Sequence, residues 1–577
     1  LSQPSTAVSI IATRVSLPDV AATADLLSLL PPALAERYAD AGKLRRPPPA
    51  SPEEAAAPRR RQPKIRLMAS RPEYLLLVRR MLERGMLDFT TAPVIVNGLH
   101  GVPKGPDGIR LIIDARPANL WFCDPDHVDL PTPDVLARLR TAGKRPFAVS
   151  KGDLDNFYHR IRTPPSFWPY FALPPVRAAD VGVGGRFGAD ALVWPCCTTL
   201  PMGWSHSVFV AQTAHLHLVL SRTGLRPADR ISSFRRPTNP VGEAKADGEL
   251  MAAPDRRICW DIYIDDLILF GPDAAELAKA HQQWADGATA AGVPPKLSKS
   301  VPPTFGPVEC IGVEVDGVQH TFGLSATRLQ TLVEDTTRLL RLGVSTGWGM
   351  RQLIGRWIWA CLPVRPSLSV LSSVFTFAMA AGRRLFTLWP SVRIELSTLC
   401  GIAPLLVVKL DAGWFRSAIA TDASSQGQGV VTARVATPTQ LHCAGLAGAV
   451  PTHLPLPPTA VALAASHRWS TIVSSQWRFE EHINVLELRA ISTAVRWALS
   501  QPAALGARLL ILSDSTVAVA ALAKGRSSSP LLLRRLRQVS AHLLASGLQL
   551  AVCWLPSAAN PADGPSRVFP PRPGRRW

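Results

Sequence analysis

The pattern of apolar and polar residues divides the chain into blocks with different periods. Between residues 66 and 325 the pattern is mixed: "EYLLLVRRMLERGML" has the period of a helix, whereas "GIRLIIDARP" and "DIYIDDLILFG" resemble strands. Residues 326–410 keep a helical period, as in "TRLQTLVEDTTRLLRLG". Residues 411–568 return to alternating strand and helix, which is typical of an α/β layer fold.

Other stretches lack such a pattern. Residues 44–64 are rich in Pro, Ala and Arg, a composition that buries too little apolar surface to offset the entropy of ordering. We therefore predict a flexible N-terminal segment with a Pro/Arg-rich linker over residues 1–65, and a basic tail over 569–577. Residues 226–258 and about 436–470 are predicted to be insertions.

Composition points to a polyanionic partner. The 577 residues are 47% hydrophobic, and 63 Lys and Arg stand against 43 Asp and Glu, for a net charge of +20. Nucleic acid is the default partner for such a surplus. The nine cysteines show no zinc-site spacing, which favours a reduced, intracellular setting. No apolar run reaches the roughly 18 residues of a membrane span. The start at Leu1 lacks a signal peptide, and we expect a fragment or a processed piece.

Two adjacent acids, Asp265 and Asp266, lie between the short apolar strands "IYI" and "LILF". This pattern predicts a hairpin with carboxylates at its tip. A divalent cation at the tip would favour the ionised form of its ligands, and Mg²⁺ prefers carboxylate and phosphate oxygens. An exposed turn, in which Asp is common, is the alternative.

Three blocks precede this hairpin in order: "GIRLIIDARPAN", "DLDNFYHRI" and "LPMGWSHS". Together, the four blocks resemble the conserved blocks of reverse transcriptases. The resemblance implies a right-hand polymerase, with fingers and palm over residues 66–325 and a helical thumb or connection over 326–410. It also implies two-metal nucleotidyl transfer, with two Mg²⁺ ions per active site and Mn²⁺ as an alternative.

The resemblance assigns roles within the palm. Asp153 and Asp265 match its two metal-binding carboxylates, and Asp266 matches their neighbour, which either ligates a metal or supports the hairpin. Tyr158 matches the residue that excludes a ribonucleotide 2′-hydroxyl, with ordinary core packing as the alternative. Lys299 falls where the family keeps a lysine near the leaving group, and a solvated loop lysine is the alternative.

Further residues are implied to bind the nucleotide. Arg110 matches a fingers residue that grips the triphosphate, since a guanidinium can bond phosphate in a bidentate way. Lys104 is a second candidate grip, and Gly203 would let the backbone come close to the nucleotide. Met202 stands where many relatives have Gln. Residues 308–315 resemble the hairpin that grips the primer.

A second set of acids follows in residues 411–568, on alternating strand and helix patterns. The acids are Asp422, Glu487, Asp514 and Asp563. Each has an alternative: the aspartates could cap helices or turns, and Glu487 could be a solvated helix residue. In this order the acids resemble those of the RNase H fold, in which the resemblance implies that they hold two Mg²⁺ ions. Trp554 stands where many cellular relatives have a histidine.

The two resemblances together imply one copying machine. The predicted fold class is mixed α/β (α+β): a right-hand polymerase followed by an RNase H-like domain. The implied partners are RNA template, DNA primer, RNA/DNA hybrid and dNTPs, without a membrane. "LPSAANPADGPSR" and "HINVLEL" resemble tyrosine-recombinase (DIRS-like) retrotransposons or pararetroviruses more than retroviruses. A non-catalytic nucleic-acid-binding relic, or a nuclease with an inactive polymerase half, is the alternative.

Overall fold

A computed structural model gives the fold. It describes residues 7–47, 63–105, 107–137, 139, 141, 145–231, 258–435, 441, 458–478 and 480–569. Most of the predicted linker, the centres of both predicted insertions and the predicted tail beyond residue 569 lie outside the described residues.

The first and largest part of the described chain combines short helices with small antiparallel sheets. Its helices are α1 (Leu26–Leu29), α2 (Pro32–Tyr38), α3 (Arg71–Glu83), α4 (Arg116–Asn119), α5 (Pro133–Leu136), α6 (Phe157–Arg160), α7 (Gly184–Phe187), α8 (Ser207–Arg222) and α9 (Ala274–Ala290). Its strands are β1 (Ala24–Asp25), β2 (Leu87–Thr90), β3 (Gly98–Lys104), β4 (Gly108–Asp114), β5 (Ala148–Asp153), β6 (Ile161–Arg162), β7 (Val176–Arg177), β8 (Leu192–Cys197), β9 (Cys259–Tyr263), β10 (Asp266–Gly271) and β11 (Val301–Thr304).

The central sheet of this part has the strand order β11-β5-β10-β9, and its paired strands are antiparallel. Residues 267–270 of β10 are completely buried, so the sheet is covered on both faces. Helix α9 covers one of them: a Cβ atom at Gly152 would lie 2.3 Å from ring carbons of Trp284. The position therefore requires glycine, one residue before Asp153.

Strands β3 and β4 form an antiparallel hairpin that stands apart from the central sheet. In β4, Ile109, Leu111 and Ile113 are buried, whereas Arg110 between them is exposed. This alternation is the two-residue period expected of a strand with one buried face. Strand β4 therefore presents Arg110 on the face opposite to its buried residues.

The N-terminal residues 7–47 are packed into the first part of the molecule. Ile10, Val15, Leu26 and Tyr38 are each at most 2% exposed. The prediction of a flexible segment over residues 1–65 is therefore wrong for 7–47. The physical reason is that apolar residues dispersed over this segment reach one core together with the rest of the first part.

The middle part is mainly helical. Its helices are α10 (Ala326–Leu342), α11 (Gly347–Cys361), α12 (Ser373–Ala381) and α13 (Pro390–Ile402). Two of its strands, β15 (Val344–Thr346) and β16 (Leu385–Thr387), pair with each other. A small sheet links this part to the first part, with the strands β12 (Val308–Cys310), β13 (Val313–Asp316), β14 (Thr321–Gly323) and β17 (Val407–Lys409). Within the described residues, no single helix is long and apolar enough to cross a membrane. One helix pair, Gly347–Val370 with Ser373–Ala381, passes that test jointly but is bent by 94°.

The last part holds a five-stranded sheet with helices. Its strands are β18 (Ser417–Ala423), β19 (Gly427–Arg434), β20 (Ser470–Gln476), β21 (Arg508–Ser513) and β22 (Gln549–Trp554). Its helices are α14 (Pro458–Ser466), α15 (Ile483–Leu499), α16 (Thr516–Lys524), α17 (Pro530–Ser546) and α18 (Asp563–Arg567). The strand order is β20-β19-β18-β21-β22; β18, β21 and β22 are parallel, and β19 runs antiparallel to its neighbours.

This architecture confirms the predicted mixed α/β fold class. A first part with an antiparallel central sheet is followed by a mainly helical part and then by a mixed five-stranded sheet, in the order that the sequence blocks predicted. Each sheet has its own buried cluster of apolar side chains. The two sets of predicted acids therefore lie on different sheets with separate cores.

Candidate active sites

The acid pair lies where the hydrophobic pattern predicted it, at the tip of the β9–β10 hairpin. Ile264, in the turn, has a φ of +57°. A left-handed backbone is unfavourable for a β-branched residue and persists only where neighbours hold it. Gln212 Oε1 accepts a hydrogen bond from the Ile264 N–H at 2.7 Å. The tight turn fixes both acids beside the neighbouring strand β5.

A second contact with the turn comes from His215 of α8. Its Nδ1 lies 2.8 Å from the Ile264 carbonyl oxygen, and Trp284 Nε1 donates to its Nε2 at 2.9 Å. These partners define the tautomer, with the proton on Nδ1. Burial lowers the pKa of His215 to about 4, so the ring is neutral at pH 7. The sequence analysis did not single out Gln212 or His215, whose roles depend on contacts across about fifty residues of chain.

Strand pairing brings the palm acids together. Asp266 is directly opposite Asp153 in the β10–β5 register, and Leu154 N–H donates to the Asp265 carbonyl at 2.9 Å. Asp153 is only 4% exposed. Burial raises the pKa of Asp265, and the charge of Asp153 raises it further. The three acids thus lie at one end of the β5–β10 pair, where their charges influence one another, although they come from positions more than a hundred residues apart.

Two lysines compensate these charges. Lys299 Nζ donates to Asp153 Oδ2 at 2.7 Å, and Lys151 Nζ lies 3.3 Å from Asp266 Oδ1. Burial raises the pKa of Asp266 to about 6, with Lys151 acting in the opposite direction. Lys151 was missed by the sequence analysis, although it precedes Asp153 by two residues on the same strand. Side chains two positions apart share one face of a strand, so a signal for it existed.

Further cations surround the site on the side of the β3–β4 hairpin. Burial lowers the pKa of Lys104, and the nearby charges of Lys296, Arg110 and Lys299 lower it further. The Arg110 side chain makes no hydrogen bond or ion pair among the described residues, which leaves its guanidinium available to a ligand. Lys296, absent from the sequence prediction, lies 3.9 Å from Asp155. The hairpin and the palm therefore present a basic surface beside the acids.

The remaining predicted nucleotide residues lie at the same junction. Tyr158 is half-buried against the core, and Asp265 is near enough to add to the effect of burial in raising the pKa of Tyr158. Gly203 has a φ of +130°, and a Cβ atom there would lie 2.0 Å from the Ile113 carbonyl oxygen. The Met202 carbonyl oxygen accepts a hydrogen bond from the Ile113 N–H at 2.9 Å. Gly203 is thus required by the contact with strand β4.

In the last part, three acids converge at one edge of the five-stranded sheet. Asp422 is in β18, Asp514 directly follows β21, and Glu487 is on α15. Because β18 and β21 are parallel, their carboxyl ends meet at the same edge. Ligand oxygens of these three residues all lie within 4.8 Å of one another. Among the described residues, no other such group of His, Cys, Asp or Glu is found.

Asp422 and Glu487 are buried, Asp514 is half-buried, and none of the three has a cationic partner in the described chain. Asp422 is 4% exposed and Glu487 is 6% exposed, and no Lys or Arg ion pair reaches either acid or Asp514 within the described chain. Burial raises the pKa of Asp422 to about 6. Burial and the charges of Asp422 and Asp514 raise the pKa of Glu487 to about 8. Protonation of an acid, or binding of a cation, is therefore strongly favoured in this cluster.

Polar groups from the segment after β22 orient the acids. Ser566 Oγ donates to Asp422 Oδ2, and Ser557 Oγ donates to Asp514 Oδ2. Asn560 Nδ2 donates to Asp514 Oδ1 at 3.3 Å and to the Thr421 carbonyl at 3.1 Å. Trp554 Nε1 donates to the Asp514 carbonyl at 2.7 Å. The sequence analysis named Trp554 but none of the other three donors.

Asp563, the fourth predicted acid, does not belong to the cluster of three. It begins α18 and accepts a hydrogen bond from Arg567 Nη2 at 2.7 Å. Its charge still raises the pKa of Asp422. This effect is smaller than those of burial and of the Asp514 charge, which also raise that pKa, and smaller than that of the Ser566 hydrogen bond, which lowers it. Asp563 is therefore adjacent to the cluster, with its carboxylate paired elsewhere.

The three converging acids fit a divalent cation. Carboxylate oxygens are the ligands that Mg²⁺ prefers, and Glu487 Oε2 is buried without any hydrogen-bond partner. A buried polar atom without a partner is costly, so a cation at this position would satisfy it. In the palm, Asp266 Oδ1 is likewise buried without a hydrogen-bond partner, but Lys151 and Lys299 lie beside the acids as cations.

Comparisons with known proteins extend only to distant solved structures. No family model and no curated protein matches the chain. A foamy viral protease–reverse transcriptase in complex with dsDNA is 14% identical, with a TM-score of 0.44, over 88% of this chain and 88% of that chain. The same viral protein in complex with RNA/DNA hybrid is 14% identical, with a TM-score of 0.44, over 85% of this chain and 54% of that chain. We therefore rest the functional assignment on side-chain geometry.

Proposed function

We propose that this chain is an intracellular RNA-directed DNA polymerase of a retroelement, with RNase H activity in its last part. The observation that carries the proposal is that two groups of acids lie on two different sheets of one chain, and that the second group is close enough to share a cation. The first cluster lies beside the basic surface formed by Lys104, Arg110 and Lys296. Such a surface suits a triphosphate, whereas the second site lacks paired cations.

In the palm, Asp153 and Asp265 would hold metal, and the hairpin would fix Asp266 beside them. In the last part, metal would be held by Asp422, Glu487 and Asp514, together with Asp563. When bound, two Mg²⁺ ions at each site would activate the attacking hydroxyl or water and neutralise the charge that develops at phosphorus.

The surrounding residues have separate tasks. Lys299, freed from Asp153, would meet the phosphates of the leaving group, and Arg110 would grip the triphosphate as a bidentate donor. Tyr158, beside Asp265, would block a ribose 2′-hydroxyl. In the second site, recognition of the hybrid would rest on shape and on the 2′-hydroxyl of the RNA strand.

The proposed relation to tyrosine-recombinase retrotransposons or pararetroviruses rests on the residues of two blocks. One is the segment that includes Ser557, Asn560 and Ser566, which donate to two of the acids. The other is the start of α15, which carries Glu487. The proposed partners remain RNA template, DNA primer and dNTPs.

The test is an assay of two reactions on the purified chain. With Mg²⁺, we expect extension of a DNA primer on an RNA template and cleavage of the RNA in a hybrid, and EDTA should stop both. Asp265→Asn should reduce extension by about a thousandfold or more and leave cleavage intact, and Asp514→Asn should do the reverse. A wild type that binds hybrid but performs neither reaction would instead establish a binding relic.

A further inference from the structure

The N-terminal residues 8–16, here called the strap, run along the β3–β4 hairpin. Val8 exchanges two backbone hydrogen bonds with Gly101 of β3, at 2.9 and 3.0 Å. At the other end, the Ser16 N–H donates to the Ile109 carbonyl of β4 at 2.9 Å. Between them, Arg14 Nε donates to the Asp107 carbonyl near the hairpin end at 2.7 Å. The strap thus touches both strands of the hairpin.

The strap is also anchored on the side away from the hairpin. The Ile10 N–H donates to the Met68 carbonyl at 2.7 Å, and the Ala12 N–H donates to a Glu73 carboxylate oxygen on α3. Ile10, Ala12 and Val15 are at most 2% exposed. Because buried apolar residues and backbone hydrogen bonds hold it from two sides, the strap ties the hairpin to the body of the molecule.

The strap also contacts a predicted nucleotide-binding side chain directly. Lys104 Nζ donates to Ser16 Oγ at 2.9 Å. In the hairpin register, Lys104 pairs with Gly108 and Val102 pairs with Arg110, so Lys104 and Arg110 lie on one face. An ammonium has three donors, and the Ser16 contact uses one of them. Two donors remain for a ligand.

We propose that Ser16 is a positioning residue whose hydroxyl holds the Lys104 ammonium where it would meet the triphosphate of an incoming nucleotide. This inference rests on the proposed polymerase function and adds to it a segment that lies before the conserved blocks. The burial and the neighbouring cations that lower the pKa of Lys104 support it, because an ammonium held among like charges favours a polyanionic ligand. The charge of Asp155 acts on the pKa of Lys104 in the opposite direction and is the smallest of these effects.

The experiment compares Ser16→Ala with Thr23→Ala in the full chain. Thr23 offers a matched control, since its hydroxyl also makes a hydrogen bond from the N-terminal residues, but to Gly292 and not to the hairpin. We expect Ser16→Ala to raise the KM for dNTP by about fivefold with kcat changed by less than about twofold, as for the loss of one binding hydrogen bond. Thr23→Ala should leave the KM unchanged, and Ser16→Thr should restore it.

A double substitution tests whether Ser16 acts through Lys104. In a Lys104→Met background, Ser16→Ala should produce no further rise in KM, because its partner is already lost. An equal rise in both backgrounds would overturn the proposal, and so would an unchanged KM in Ser16→Ala. If the wild type does not extend a primer at all, the proposed function fails first, and the role of Ser16 falls with it. Hybrid cleavage should be equal in all these variants.

Discussion

The two acid sites differ in how the protein balances the negative charge of their neighbouring carboxylates. In the palm, two of the three acids, Asp153 and Asp266, each have a lysine beside them, so protein side chains offset part of the negative charge. In the last part, Asp422 and Asp514 are oriented by hydroxyl and amide donors, and neither they nor Glu487 has a paired cation in the described chain. One site can therefore be ionised without metal, whereas the other needs protons or a cation.

This difference has a physical meaning for the proposed reactions. A lysine that neutralises an acid in the absence of metal must be displaced before that acid can bind metal, and Lys299 is then free to meet phosphate. A carboxylate whose pKa is raised by burial and by like charges must release its proton when metal binds. We expect the palm to exchange ammonium for metal, and the second site to exchange protons for metal.

The largest stability effect should come from breaking the palm pair that is most buried. Lys151 and Asp266 have side chains 18% and 16% exposed. Lys151→Met would leave the Asp266 carboxylate without its partner beside Asp265. We expect a loss of about 3 kcal/mol of unfolding free energy at pH 8 in EDTA. Differential scanning calorimetry would measure it, with Lys279→Met, a variant of a helix-surface lysine on α9, as the control. An unchanged transition would show that Lys151 does not compensate Asp266.

In the second site, substitution of an acid is expected to increase the unfolding free energy and not to decrease it. The pKa of Glu487 is raised from its ordinary value to about 8, so its contribution to stability is fully present below pH 4.5 and is lost as the pH rises towards about 8. Glu487→Gln removes that penalty and should raise the unfolding free energy by about 1–3 kcal/mol at pH 8 in EDTA. Calorimetry at pH 8 and pH 4.5 should show a gain at the higher pH only. Destabilisation at pH 8 would contradict an uncompensated cluster.

A smaller effect is expected from the donors that orient the second cluster. Ser566→Ala removes the hydroxyl that donates to Asp422. We expect hybrid cleavage to fall by about fivefold to tenfold, with primer extension unchanged, because the acid loses one charge-assisted hydrogen bond but keeps its place in β18. Ser546→Ala provides a control, since that hydroxyl bonds only to backbone groups at the end of α17. Equal losses in both variants would point to folding and not to the site.

The sequence predicted the elements that carry the acids better than it predicted their partners. The acid pair flanked by apolar strands indicated the β9–β10 hairpin, and the strand-then-acid patterns indicated β18 and β21. Ser566 and Ser557 could not be predicted, since their contacts span 144 and 43 residues and serine has no characteristic pattern. Asp563 was expected among the metal ligands, a role that its pairing with Arg567 leaves as a prediction.

The N-terminal residues show why composition alone misled. The Pro-, Ala- and Arg-rich stretch over residues 44–64 led to the prediction that the whole of residues 1–65 is flexible. Tyr38, however, is fully buried, and its hydroxyl lies 2.8 Å from Nδ1 of His206 at the start of α8. A segment next to a Pro/Arg-rich stretch can still be fixed by contacts with elements far along the chain, and these contacts leave no local pattern.

Proton release on metal binding tests the central comparison most directly. Mg²⁺ would be titrated calorimetrically into the chain at pH 7, in two buffers with different ionisation enthalpies. Because the pKa of Glu487 is about 8, we predict release of roughly one proton, absent in Glu487→Gln and retained in Asp265→Asn. Binding without proton release, or release that persists in Glu487→Gln, would contradict the account.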